Sequence, residues 1–164
     1  MLKFACGIVM SRSLIETLQR HFIETEAASL FAAAYDKTRL PWQMVNGGPR
    51  SGIYRTVDGG ESWTKLTNGL PTGRIGRIGL DIYPRDPDIV YAVIENDNPV
   101  DGAAAPDARG RVDIIGGELY RTSDGGDTWM KMNPDTVDVM PKGPYYFTQV
   151  PVYPDDPDPI IVTG

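Results

Sequence analysis

Two octapeptides hold the residue types most able to do chemistry. Thr56-Val57-Asp58-Gly59-Gly60-Glu61-Ser62-Trp63 returns almost unchanged as Thr122-Ser123-Asp124-Gly125-Gly126-Asp127-Thr128-Trp129. Each sets a carboxylate between two hydroxyl residues and closes on tryptophan. In both copies the local sequence reads the aspartate as a turn clamp. Asp-Gly-Gly supplies the positive-φ positions a short connection requires, and the carboxylate can accept hydrogen bonds from backbone N–H groups just ahead of it. Trp63 and Trp129 then open the returning strands, where an indole can cover the turn and join the core.

Other groups invite a sharper chemistry. Glu95, Asp97 and Asp101 fall in a stretch of loop composition and could contribute to a pair of facing carboxylates, as polysaccharide hydrolysis needs; the plainer reading is solvated loop charge. Trp42, Tyr145 and Tyr146 lie in Gly- or Pro-flanked loops, where exposed aromatics stack on sugars or anchor peptides. The alternative is that these rings fill space between sheets. Gly73, Gly76 and Gly79 share a three-residue spacing but lack the Lys-Ser/Thr and the following helix of a phosphate loop. Asp97-Asn98-Pro99-Val100-Asp101-Gly102 imitates a calcium loop with proline at the third ligand position and no glutamate at the twelfth. No metal site and no cofactor follow from either. His21 and Cys6, the single histidine and cysteine, read as packing or surface residues. One cysteine excludes an internal disulfide.

The elements that must position these groups are strands. Eighteen glycines and fourteen prolines spread between short apolar runs fit an all-β, turn-rich chain of 164 residues, long enough for one sizeable core. A net charge of −6 and a pI near 4.7 offer no basic face for nucleic acid. Gly52-Ile53-Tyr54-Arg55-Thr56 matches Glu118-Leu119-Tyr120-Arg121-Thr122, an alternating strand running into each turn. Residues 29–35 and 89–94 form a buried strand ahead of each copy. Tyr83-Pro84-Arg85-Asp86-Pro87-Asp88 returns as Tyr153-Pro154-Asp155-Asp156-Pro157-Asp158, a turn between two further strands. The repeating unit is therefore strand, Pro-Asp turn, buried strand, loop, strand, octapeptide, strand: four antiparallel strands. The spacings, 124 − 58 = 66 and 153 − 83 = 70 residues, exceed the roughly 40–50 of a compact four-stranded unit. The excess is assigned to a loop over 96–117.

Residues 1–25 stand outside this grammar. Ser13-Leu14-Ile15-Glu16 offers a capping box, and Leu14, Leu18 and Phe22 recur at helical spacing, so a short amphipathic helix is expected to about Ile23. The apolar stretch 4–10 is short for a secretory signal, with no small-x-small cleavage site after it. No run approaches a membrane span.

The octapeptide resembles the Asp-box, or BNR repeat, of β-propellers such as sialidases, sortilin-type receptor ectodomains, xyloglucan-degrading endoglucanases and plant photosystem assembly factors. The matching positions are Thr56, Asp58, Gly60, Ser62 and Trp63, then Thr122, Asp124, Gly126, Thr128 and Trp129. Over 29–163 the chain is most similar to bacterial sortilin-like or glycosyl-hydrolase-labelled BNR-repeat proteins. That likeness rests on Ala33-Ala34-Tyr35 with Arg39-Leu40-Pro41-Trp42, on Gly47-Gly48-Pro49 with Ser51-Gly52-Ile53-Tyr54, on Asn68-Gly69-Leu70-Pro71 with Gly76-Arg77-Ile78-Gly79, and on Pro144-Tyr145-Tyr146. It implies that the box is a structural turn on the outer part of a blade, away from the ligand-binding centre. It also implies a partial β-propeller over 26–164 of about two to three four-stranded blades, with pieces at about 29–66, 78–132 and 147–163. Such pieces are expected to be a fragment of a longer propeller, self-associating through unpaired strand edges. The implied role is non-catalytic binding of a protein or glycan, extracellular or periplasmic, beside the remaining blades. The alternative is a glycoside hydrolase, xyloglucanase- or sialidase-like, whose carboxylates lie largely outside this stretch. Arg39-Leu40-Pro41 matches the sialidase arginine tripeptide, but it follows the buried strand instead of preceding the first blade.

Overall fold

A computed structural model describes residues 4–6, 29–140, 149–158 and 160–162, and every regular element among them is a strand. The first sheet contains β1 (Phe4–Cys6), β2 (Leu30–Ala34), β5 (Gly52–Thr56) and β6 (Thr64–Lys65), in the order β1-β2-β5-β6. Its body, β2-β5-β6, is antiparallel; β1 joins the edge of β2 in parallel. The second sheet is a four-stranded antiparallel meander of β7 (Ile75–Ile82), β8 (Val90–Pro99), β9 (Ile114–Thr122) and β10 (Met130–Lys131). Between β2 and β5 a separate hairpin is formed by β3 (Lys37–Leu40) and β4 (Gln43–Asn46).

The repeat is visible in the register. Phe31 pairs with Arg55 as Tyr91 pairs with Arg121, Leu30 with Thr56 as Val90 with Thr122, and Tyr54 with Lys65 as Tyr120 with Lys131. A slip of one residue would turn each strand's apolar set to the wrong face, so equal registers mean equal faces.

The centre is β8. Val90, Ala92 and Ile94 point to one side, into a core shared with Phe31, Ala33, Ile53 and Leu66 of the first sheet and with Ile78, Ile82, Tyr120 and Trp129 of the second. Tyr91 and Val93 point to the other side, against Met140 and Val150. A strand buried on both faces reads as a continuous apolar run, which is why 89–94 shows no alternation. Val90, Val93 and Ile94 each contribute about 1.5–3 kcal/mol on burial.

Four expectations are corrected. The stretch 96–117 is not all loop: β8 runs to Pro99 and β9 begins at Ile114, leaving 100–113 as the connection. Pairing outlasts the apolar run, with a register irregularity between Asn96 and Pro99, and a proline at a strand end sacrifices no ladder bond. The polar segment after β2 is not a plain loop but carries the β3–β4 hairpin. Residues 149–158 and 160–162 form no regular strand; an isolated bridge joins Val152 to Ile160. Pro151, Pro154 and Pro157 remove the amides a ladder would use. Finally, residues 4–6 of the supposedly non-repeat segment are part of a sheet. The helix expected to about Ile23 lies outside the described residues.

Candidate functional site

Each octapeptide turn is built around its threonine. Thr56 is 1% exposed; its hydroxyl donates to Asp58 Oδ1 at 2.6 Å and accepts the Gly60 amide at 2.9 Å. Asp58 then takes the Ser62 amide at 3.0 Å and the Ser62 hydroxyl at 2.5 Å. The Trp63 indole N–H reaches back to the Gly60 carbonyl at 3.2 Å. The second turn repeats this atom for atom. Thr122 donates to Asp124 Oδ1 at 2.7 Å and accepts the Gly126 amide at 3.0 Å; Thr128 gives Asp124 its amide at 2.9 Å and its hydroxyl at 2.5 Å. The Trp129 indole N–H donates to the Gly126 carbonyl at 3.2 Å. The glycines hold positive φ in both, where a side chain would be strained.

These hydrogen bonds decide the acids' chemistry. Donation by the Ser62 hydroxyl, then by the Ser62 amide and Thr56, holds the Asp58 carboxyl well below the usual carboxylate range. The Thr128 and Thr122 hydroxyls do the same for Asp124. A carboxylate stabilised in its charged form by several donors carries no proton to give near neutral pH.

The second turn is also a joint between the sheets. From β5, Arg55 donates through Nη1 to the Gly125 carbonyl at 2.6 Å and through Nη2 pairs with Asp127 at 2.7 Å. The Asn68 carbonyl accepts the Trp129 amide at 3.1 Å, and the Asn68 side chain donates to the Asp127 carbonyl at 3.0 Å. The Asp88 backbone carbonyl, from the Pro-Asp turn, accepts the Gly125 amide at 3.0 Å. Phe31 and Leu66 lie directly over Gly126.

A second polar group lies along β8 and β9. Glu95 is 8% exposed, Asn96 3% and Glu118 5%. The Glu95 carboxylate occupies the space left by Gly76 and accepts the Arg77 amide at 3.0 Å. Burial raises its pKa, with that amide opposing. Burial likewise raises Asp97, opposed by Arg74 at 3.6 Å. On the opposite face Glu118 collects Lys131 at 2.7 Å, the Asn96 amide group at 2.8 Å and the Tyr120 hydroxyl at 3.1 Å. Glu95 and Asp97 are therefore strand residues, not loop charges. Asp101 sits apart from them in the exposed connection. Glu118 and Asn96 were missed by the sequence reading. The signal that could have placed them is the alternation of Ile94, Asn96 and Asn98 against Val93, Glu95 and Asp97, which continues a strand pattern past the apolar run.

Of the three candidate aromatics, Trp42 lies at the tip of the β3–β4 hairpin, 80% exposed. Tyr145 and Tyr146 lie outside the described residues. Arg39 stands on β3, paired with Met44. An open cleft of about 280 Å³ runs between the 77–81 stretch of β7 and residues 149–151, and Asp81 closes one side by accepting the Val152 amide at 2.8 Å. Among the described residues no three His, Cys, Asp or Glu gather as metal ligands, and no helix is long and apolar enough to cross a membrane. No protein-family model, no curated protein and no solved structure matches this chain.

Proposed function

We propose that the two sheets are successive blades of an Asp-box β-propeller and that the chain acts outside the cytoplasm as a non-catalytic scaffold binding a protein or glycan. The supporting observation is how the acids are used. Asp58 and Asp124 are saturated by donors from their own turns, which leaves them as braces in the frame. Equal strand registers and equal turns in the two repeats favour the propeller reading. A closed ring takes about four to eight blades, so in this reading further blades complete it. The described group best suited to a ligand is Trp42, because the β3–β4 hairpin presents its ring to solvent at its tip.

Binding to a glycan array and a peptide library tests this. The wild-type chain should retain a ligand class that Trp42→Ala loses, while stability changes by no more than about 0.5 kcal/mol, as for an ordinary surface substitution. The second reading is a glycoside hydrolase. It is favoured by one observation: burial raises the pKa of both Glu95 and Asp97, two residues apart on β8. Turnover of a polysaccharide or sialoside that disappears in Glu95→Gln or Asp97→Asn would replace the first reading with the second.

A further inference from the structure

The β3–β4 hairpin is tied down at its base and apolar at its tip. The Asp36 carbonyl accepts the Gly47 amide at 2.9 Å, and the Asp36 amide donates to the Ser51 hydroxyl at 2.9 Å. These bonds join the two ends of the hairpin to each other and to the chain entering β5. The Gly48 amide donates to the Ile75 carbonyl at 3.1 Å, which fixes the base against β7. Beyond the base, β3 and β4 pair only with each other among the described residues. Their register puts Leu40 and Val45 at diagonal positions on one face, with Trp42 in the turn beyond them. Leu40 is 41% exposed and Val45 36%, while Leu30, Phe31 and Ile53 of the neighbouring sheet are buried. Single exposed apolar residues are ordinary; three gathered on one projecting tip mark a surface that meets something apolar.

Charge says which apolar surface this is. Residues 37–46 carry Lys37 and Arg39 and no acid, although the chain as a whole has a net charge of −6. The surrounding stretch agrees: residues 30–65 hold five cations against three acids, whereas residues 67–164 hold sixteen acids against eight cations. Two of the three acids are engaged locally, Asp36 by Arg50 at 3.0 Å and Asp58 by the donors of its own turn. Such an asymmetry aims the hairpin at a negatively charged surface. Tryptophan favours the boundary between headgroups and acyl chains, and long basic side chains close behind an apolar tip keep their charge at headgroup level. A sugar stacked on the Trp42 indole would leave Leu40 and Val45 in water, whereas a bilayer covers all three.

We propose that the β3–β4 hairpin seats the protein on an anionic lipid surface. Trp42, Leu40 and Val45 enter the boundary between headgroups and acyl chains, and Lys37 and Arg39 meet the lipid phosphates above it. Apolar burial and attraction to anionic lipid add in such a contact. The inference goes beyond the capture of a protein or glycan, and the two are measured separately.

Co-sedimentation with vesicles of equal parts phosphatidylcholine and phosphatidylglycerol tests it, beside vesicles of phosphatidylcholine alone. The wild-type chain should bind the anionic vesicles, with tryptophan emission shifted to the blue and quenched by brominated lipid. Trp42→Ala should weaken binding about tenfold or more and abolish the quenching, since Trp63 and Trp129 lie outside the hairpin. Trp42→Phe should keep part of the binding. Arg39→Glu should also weaken binding about tenfold or more, and added salt should weaken that of the wild type. A wild-type chain that ignores the anionic vesicles overturns the proposal, and if it still retains a glycan or peptide the function proposed above stands without it. Binding unchanged in Trp42→Ala, or equally strong on the neutral vesicles, overturns it as well.

Discussion

At the scale of single residues, the buried member of each turn is the threonine, while the aspartate stays at the surface. Thr122 is 2% exposed and links the Asp124 carboxylate to the Gly126 amide, so a side chain of the same shape without the oxygen leaves that amide unpaired. Thr122→Val should cost about 1–3 kcal/mol in urea titration at pH 7. The same variant should change the acid response. The folded-state pKa of Asp124 lies below its unfolded value, so its contribution is complete above about pH 4 and is lost as pH falls through the folded pKa. Thr122→Val removes one of the donors that depress that pKa, so its stability should fall less steeply between about pH 4 and 2 than the wild type's. An unchanged acid slope would mean that Thr128 alone sets the shift. Glu95 has the opposite sign: burial raises its pKa, so ionising it as pH rises opposes folding.

At the scale of elements, the connection from β6 to β7 decides how the sheets meet. Gly69 has φ +78°, and a Cβ there would stand 1.9 Å from the Trp129 carbonyl oxygen. Gly59 has φ +73° with nothing within 4 Å. The pair separates two costs. Gly59→Ala pays for left-handed backbone alone, about 1–2 kcal/mol. Gly69→Ala must also push the backbone of the second turn away from the Asn68 carbonyl, so it should destabilise clearly more and expose Trp129. Urea unfolding followed by tryptophan fluorescence reads both effects; equal losses would mean the joint yields without resistance. The extra length of the second repeat is also an element-scale matter, since much of what composition assigned to loop is strand. Asn96, Gly116 and Pro99 have poor strand propensity, yet they pair because the hairpin carries them along.

At the scale of the whole molecule, one core draws on both sheets, so they should unfold in a single transition. The two equivalent arginines then test how the repeats are joined. Arg55→Met removes charged hydrogen bonds across the joint and should cost about 1.5–3 kcal/mol in urea titration. Arg121→Met should cost less, because Arg121 Nε has no acceptor among the described residues, while its guanidinium gives up a contact over the Tyr91 ring at 5.8 Å, worth about 0.5–1 kcal/mol. Equal losses would mean that the contact over Tyr91 holds the chain together as firmly as the joint at Arg55 does. The sequence by itself determined what depends on near neighbours: strands in place of helices, the two turns with their clamps and lids, and the Pro-Asp corner. Alternation, glycine and short side-chain bonds to backbone act over a few residues. Tertiary structure alone decided that β8 is buried on both faces, that Glu95 leaves water to fill the hollow at Gly76, that residues 149–158 and 160–162 pack without becoming regular strands, and that the second turn is gripped by the first repeat. Those outcomes depend on which distant surface covers a residue, and burial of that kind leaves no mark in local spacing.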